Sequence, residues 1–277
     1  MNSDETTSPG VELRAVFGYA SDRGLRREQN EDSLIAADPV FAVADGMGGH
    51  EAGEVASSIC VRTLGEAPFV GEHLPAVGAD QLRALLREAD TRIREATGGR
   101  AGTTVTGAVL VCGDGAPCWL VFNVGDSRTY RLTGGALEQI TVDHSEVQEL
   151  VDMGQITPDE ALIHPRRHVV TRALGTGSDT QADYWLIPVE PGDRLLVCSD
   201  GLTGEVSDGQ LQQILSTVAN PQDACAAMLQ AALRSGGRDN ITVLVVDVET
   251  ANERTGQADA RVFRAGEPQP AAVTPEQ

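Results

Sequence analysis

The chain of 277 residues predicts an α+β fold in which antiparallel sheets pack together with pairs of helices outside. Three observations carry that expectation. Apolar strand-like runs follow one another across short turns, as antiparallel strands require. Helical patterns arrive in two pairs and do not alternate singly with strands, which argues against βαβ units. Apolar residues make up 41% of the chain but aromatics only 4%, so the core must be built mainly from Val, Leu, Ile and Ala.

Residues 1–10 are polar and expected to be disordered. Val11 to Ala20 reads as a first strand, and the charged loop Ser21 to Asp32 follows it. Ser33 to Ala37 and Val40 to Ala44 are short apolar runs joined by Asp38-Pro39, a hairpin signal. From about Ala52 to Leu64, Val55, Ala56, Ile59 and Cys60 recur at helical spacing. A second helix, about Asp80 to Ala96, carries the stripe Leu82, Leu85, Leu86, Ala89 and Ile93 and ends at Gly98-Gly99. Thr103 to Cys112, Cys118 to Val124, Ser127 to Leu132 and Ala136 to Thr141 are then expected to form an antiparallel meander.

From Val142 to Asp183 the pattern breaks, apart from a helical stretch at Glu146 to Met153. A long irregular insertion in a compact domain is usually functional. Tyr184 to Val189 and Arg194 to Cys198 are strands on either side of Pro191-Gly192. Helices follow at about Asp208 to Thr217 and Pro221 to Arg234, then a last strand at Ile241 to Val248. Residues 250–277, with Pro268, Pro270 and Pro275, read as a disordered tail. The folded domain is therefore placed at 11–249, and no internal repeat divides it.

The net charge of −20 argues against nucleic acid or an anionic membrane as partner, because both need a basic surface. All 21 basic residues are Arg. Without Lys, a Walker-type phosphate loop, a Schiff base and a kinase lysine are excluded. Arg remains for phosphate recognition, its planar fork matching two phosphate oxygens. Five cysteines are an odd number for a closed disulfide framework. A Cys112–Cys118 bridge is conceivable, but reduced core thiols are the expectation, and the cysteine-phosphatase spacing is missing. No secretory segment or membrane-length apolar run is visible, so a soluble, cytoplasmic protein is expected.

The stretch Asp45-Gly46-Met47-Gly48-Gly49-His50 stands out: a buried strand ends in a carboxylate, and a glycine-rich loop leads into a helix. Glycines let backbone carbonyls approach a ligand, and oxygen donors suit Mg²⁺ or Mn²⁺. An ordinary strand–helix turn with a solvated Asp reads the same way in isolation. Asp126, Asp200 and Asp239 share that context, each beside a Gly or Asn at or near an apolar strand end. Asp-Gly also simply marks turns. Four such carboxylates suggest strand ends that converge on one oxygen-rich site.

With these residues in order, the sequence resembles the PP2C-type (PPM) metal-dependent protein serine/threonine phosphatases in their bacterial form, over roughly 11–248. Ser21-Asp22-Arg23-Gly24 with Arg27 and Asn30-Glu31-Asp32 is similar to the family's first motif. The loop at Asp45 resembles its metal loop. Gly102-Thr103-Thr104, Gly125-Asp126-Ser127-Arg128, Ser199-Asp200-Gly201 and Asp239-Asn240 follow in the family's order.

The resemblance implies an αββα sandwich and hydrolysis of phosphoserine and phosphothreonine by a water or hydroxide that bridges two Mn²⁺ or Mg²⁺ ions. It implies that Asp45 bridges the two ions, that the Gly46 carbonyl binds one, and that Asp200 and Asp239 complete the other. Asp126 would hold a third ion beside Asp200, and Arg27 would bind the substrate phosphate. Glu31, Asp32 and Asn240 would support the site from behind. The segment of about 145–175 matches the family's flap, a substrate-selecting element. Phosphorylated proteins, a Ser/Thr protein kinase among them, are the implied partners of a monomeric enzyme.

The chain departs from the family in two places. Eukaryotic members carry a His directly after the metal-loop Asp-Gly, where this chain has Met47, and that role is not transferred to His50. The family often has an Asp four residues after the Asp200 position, where this chain has Gly204 followed by Glu205, leaving the third ion open. His164 and His168 have helical spacing, but Pro165 and the lack of further ligands speak against zinc. His144 is expected to support the fold. The rival readings are a phosphoprotein-binding pseudophosphatase, an enzyme of other specificity such as an anti-sigma-factor-pathway regulator or a nuclease, and a structural metal-binding protein.

Overall fold

The strands are apolar on both faces, which is why the sequence shows continuous apolar runs instead of alternation. In the computed structural model, Val40, Ala42 and Ala44 face one buried cluster while Phe41 and Val43 face another. Successive side chains of a strand point to opposite faces, so such a strand must be covered on both sides. The structure describes residues 13–48, 52–177, 181–190, 192–250 and 261–264.

The elements run in the order β1 (Leu13–Asp22), β2 (Asp32–Ala37), β3 (Val40–Gly48), α1 (Ala52–Gly65), α2 (Ala79–Thr97), β4 (Ala101–Thr103), β5 (Val105–Gly113) and β6 (Ala116–Val124). They continue with β7 (Arg128–Thr133), β8 (Ala136–Gln139), α3 (Glu146–Asp152), α4 (Pro158–Leu162), β9 (Asp183–Pro188) and β10 (Arg194–Cys198). Last come α5 (Asp200–Thr203), α6 (Asp208–Thr217), α7 (Pro221–Ser235), β11 (Ile241–Thr250) and β12 (Arg261–Arg264).

Among the described residues, one sheet has five strands in the order β1-β11-β10-β7-β8. The other has seven, in the order β12-β2-β3-β5-β6-β9 with β4 paired to β3. Every pairing is antiparallel. A middle core holds Phe41, Trp119, Leu195 and Leu244 between the sheets. A second core lies between the seven-stranded sheet and α1 and α2, where Leu64, Leu82, Leu86 and Ile93 are buried. A third lies between the five-stranded sheet and α6 and α7, with Leu211, Leu215 and Met228. The layers are therefore α, β, β, α.

Two expectations need correction, and one holds. The strands from Thr103 to Thr141 are not one meander. β5 and β6 pair in the seven-stranded sheet and β7 and β8 in the five-stranded one, so the chain changes sheets at Gly125-Asp126-Ser127. The expected free thiols are present: all five cysteines are unbridged, Cys112 alone being exposed, and in the β5–β6 ladder Cys112 lies opposite Pro117 and Cys118 opposite Val111. The expected disordered tail contains β12, which pairs with β2. The rest of the tail, residues 1–12 and His50 lie outside the described residues. Among the described residues, no helix is long and apolar enough to cross a membrane.

The irregular segment is anchored at its neck. Ser145 and Val170 bridge, and the Glu146 N–H donates to the Val169 carbonyl at 2.9 Å. At its return, Leu174 and Thr103 exchange two backbone bonds of 2.9 Å, and Asp90 on α2 accepts the Gly175 N–H at 2.8 Å. Inside it, Ser145 caps α3 and Thr157 caps α4, the latter with Glu160 in a capping box.

Candidate metal and phosphate site

Asp45 lies on β3 directly opposite Asp32 of β2. The β3 backbone is tied down there: the Asp45 carbonyl accepts the Thr104 N–H and the Thr103 hydroxyl, each at 2.9 Å. Asp200 opens α5 immediately after β10, and Asp239 sits on the loop before β11. Asp126 lies at the crossing between β6 and β7. Both sheets thus deliver these carboxylates, but Asp45 does not end its strand as expected: β3 runs on through Gly48 by pairing with β4, while Asp126, Asp200 and Asp239 lie just outside strands.

They meet electrostatically. Burial pushes the Asp45 carboxyl well above its ordinary range, and Asp32, Asp200, Asp126 and Asp239 push the same way. Burial and Asp239 raise Asp200, while a hydrogen bond to Asp45 acts against the rise. Burial, Asp200 and Asp143 raise Asp126. Burial carries Asp32 up to about 7, although Thr242 and Ser199 hydrogen-bond its carboxyl. The Ser199 hydroxyl donates to Asp32 Oδ2 at 2.9 Å, and Asp32 Oδ1 is buried without a partner. Crowded carboxylates of this kind need protons or cations to relieve their repulsion.

Asp239 has a cation beside it already: Arg27 Nη2 donates to Asp239 Oδ2 at 2.7 Å. The adjacent Arg26 is exposed. Asn240 explains how the loop bearing Arg27 is placed. Its Oδ1 accepts the Glu31 N–H at 2.8 Å, and its Nδ2 donates to the Arg23 and Gln29 carbonyls at 3.0 and 2.8 Å. All of its side-chain amide polar atoms are thus engaged in joining the first motif to the last. Gly24 allows the approach: at φ +74°, an added Cβ would lie 2.1 Å from the Asp239 carbonyl oxygen.

Gly46 is enforced by packing. A Cβ there would lie 2.2 Å from the Gly53 carbonyl oxygen of α1 and 2.6 Å from that of Glu31. The Glu31 carbonyl in turn accepts the Gly46 N–H at 3.2 Å and the Ser57 hydroxyl at 2.6 Å. Burial raises the Glu31 carboxyl, opposed by Arg27.

The donor set is all oxygen and rich in negative charge, and the unpartnered Asp32 Oδ1 adds to it. That chemistry fits hard divalent cations. Among the described residues, no group of three or more His, Cys, Asp or Glu side chains closes into a ready-made metal cage. Part of the donor capacity is spent on the Arg27–Asp239 pair.

Glu205 does not replace the missing Asp at 204. Arg238 grips its carboxylate with Nε at 2.8 Å and Nη2 at 3.0 Å, and the Arg238 N–H adds a third bond. The grip ties the end of α5 to the loop that carries Asp239. His164 accepts the Arg166 N–H in a local turn. His168 lies near enough to Asp200 to lower its carboxyl, which places this part of the 145–175 segment near the pocket.

Sequence reading quoted Thr104, Ser127 and Arg128 within motifs but missed the contacts they make beside the carboxylates, and it missed Asp143. Asp143 takes three bonds of 2.7–3.1 Å from Arg128, next to Asp126. Thr104 and Ser127 share a hydroxyl bond of 2.8 Å beneath Asp45 and Asp126. No spacing signals them, because each pairs residues that the fold alone brings together.

The fold is a four-layer sandwich whose two sheets bring buried acidic side chains together near an arginine. The profile of the protein phosphatase 2C family matches residues 26–235. The serine/threonine protein phosphatase PstP of Mycobacterium tuberculosis is 42% identical over 252 residues, covering 86% of this chain and 46% of that protein. This chain therefore spans about half the length of that curated relative. The serine/threonine phosphatase stp of Listeria monocytogenes is 35% identical over 243 residues, 83% of this chain and 94% of that one. The crystal structure of the PstP catalytic domain in complex with two manganese ions has a TM-score of 0.77 at 37% identity, covering 85% of this chain and 99% of that one. The chain belongs to the protein phosphatase 2C family.

Proposed function

We propose that this chain is a Mn²⁺- or Mg²⁺-dependent phosphatase that removes phosphate from phosphoserine and phosphothreonine in proteins. The observation that carries the reading is the gathering of Asp45, Asp126, Asp200 and Asp239 from separate parts of both sheets, with Arg27 beside Asp239. The family supports it, and so do the two manganese ions in the PstP catalytic domain.

In this reading Asp45, the Gly46 carbonyl, Asp200 and Asp239 hold two ions, and Asp126 beside Asp200 holds a third. When bound, the ions supply positive charge at the phosphate and make a water molecule acidic enough to attack phosphorus near neutral pH. Arg27 leaves Asp239 to grip two phosphate oxygens, orienting the ester for in-line displacement. Glu31 and Asp32 accept hydrogen bonds from water in the pocket, and Asn240 keeps the Arg27 loop in register. The 145–175 segment selects among protein substrates. Those substrates are phosphorylated proteins, a Ser/Thr protein kinase among them, met by a cytoplasmic monomer. Free thiols, four of them buried, suit a reducing compartment. A net charge of −20 disfavours nucleic acid and anionic membranes.

One assay tests the reading: hydrolysis of p-nitrophenyl phosphate and of a phosphothreonine peptide, with Mn²⁺, with chelator, and with Asp239→Asn. Turnover that needs Mn²⁺ and collapses in Asp239→Asn is expected. Turnover that survives chelation would remove the metal requirement, and none in any condition would favour a phosphoprotein-binding module.

A further inference from the structure

His144 occupies a position that a merely space-filling core histidine would not need. Its ring is buried, and both nitrogens are used. Nδ1 accepts the Gly125 N–H at 3.1 Å, and Nε2 lies between Asp183 Oδ2 at 3.1 Å and Arg172 Nη1 at 3.2 Å. Its backbone repeats the pattern. The His144 N–H donates to the Gly125 carbonyl at 2.9 Å, and the His144 carbonyl accepts the Thr171 N–H at 2.8 Å.

These partners belong to different parts of the molecule. Gly125 is bonded directly to Asp126 and sits at φ +111° against Thr104, a conformation that needs holding. Thr171 is where the 145–175 segment returns. Asp183 starts β9, and its Oδ1 also accepts from Arg172 at 3.2 Å. Asn123 adds to the same knot, donating to the Gly125 and Val142 carbonyls at 3.0 and 3.2 Å.

We infer that His144 is a positioning residue that couples two elements through one ring: Nδ1 sets the turn presenting Asp126, and Nε2 fastens the neck of the 145–175 segment to β9. The Asp126 part of this inference rests on the function proposed above. The coupling makes the placement of the segment and the readiness of the Asp126 carboxylate interdependent, because a ring that rotates to release one partner releases the other.

Two near-isosteric substitutions divide the ring. His144→Asn puts an oxygen at the position of Nδ1 and nothing at Nε2. His144→Gln puts an amide nitrogen near Nε2 and nothing at Nδ1. The readouts are amide hydrogen exchange at Gly125 to Ser127, tryptic cleavage after the exposed Arg166 and Arg167, and a Mn²⁺ binding isotherm. His144→Gln is expected to speed exchange at Gly125 and to weaken the loosest Mn²⁺ step by about tenfold, about 1.4 kcal/mol. His144→Asn is expected to protect Gly125 and instead speed cleavage after Arg166 and Arg167. A histidine serving only the fold would move every readout together in both variants, and that result, or no change in either, overturns the inference. A wild-type protein that binds no Mn²⁺ would sink the proposed function, while exchange and cleavage would still decide the role of His144.

Discussion

Asp32 and Asp45 are direct partners across the β2–β3 ladder, so two carboxylates share one face of the sheet at its site end. Like charges directly opposite in an antiparallel pair are destabilising, and here burial amplifies the cost. Asp45→Asn keeps the shape and can keep the hydrogen bond to Asp200 while removing one charge. In chelator this variant should melt at a higher temperature than the wild type, and with Mn²⁺ it should lose at least about 100-fold in turnover, about 2.7 kcal/mol. A lower melting temperature in chelator would show that the charge is not what strains the site.

The same cluster dictates a pH dependence. Asp32 has its pKa carried from 3.8 to about 7, and Asp45, Asp126 and Asp200 move in the same direction. Between the unfolded and folded values the native state holds more protons than the unfolded chain. The cluster's contribution to stability is therefore complete below about pH 4 and is lost as pH rises through about 7. Mn²⁺ should offset that loss, raising the melting temperature more at about pH 8 than at about pH 5. At 100 times its dissociation constant a single ion contributes about 2.7 kcal/mol. A Mn²⁺-induced shift that shrinks as pH rises would contradict the assignment.

Arg27 and Asp239 form an ion pair that a phosphate must compete with. Arg27→Ala should raise KM for p-nitrophenyl phosphate by about tenfold, about 1.4 kcal/mol, with a smaller change in Mn²⁺ affinity. If the arginine serves only to neutralise Asp239, KM will stay constant and Mn²⁺ binding will tighten. Steady-state kinetics beside a Mn²⁺ isotherm separates the two.

The thiols differ sharply in access. Cys60, Cys118, Cys198 and Cys225 are buried and Cys112 is exposed. Burial pushes Cys60 and Cys198 up to about 12 and raises Cys225. Thiolate is the reacting form, so alkylation of the folded protein near neutral pH should stop at one equivalent, on Cys112, and reach all five only in denaturant. Rapid labelling of Cys198, which lies behind the site at the end of β10, would mean that the third core opens readily.

Most of the longer elements were legible in the sequence, and so were the acidic positions on which the proposed function rests. Periodicity placed α1, α2, α6 and α7 within a few residues, since an amphipathic helix records its buried face every three or four positions. Asp45, Asp126, Asp200 and Asp239 stood out because each lies beside a Gly or Asn in or near an apolar strand, which is a local feature. Which strands share a sheet was decided only in three dimensions. β6 and β7 are close in sequence yet pair in different sheets, and the two sheets meet at a middle core that holds Trp119 of β6, Leu195 of β10 and Leu244 of β11. The supports of the site were likewise decided there. Asn240 reaching Glu31, Arg238 gripping Glu205 and His144 joining Gly125 to Asp183 are contacts between residues 19 to 209 positions apart. A hydrogen bond depends on position and angle in space, and no local pattern in a chain encodes a partner that far away.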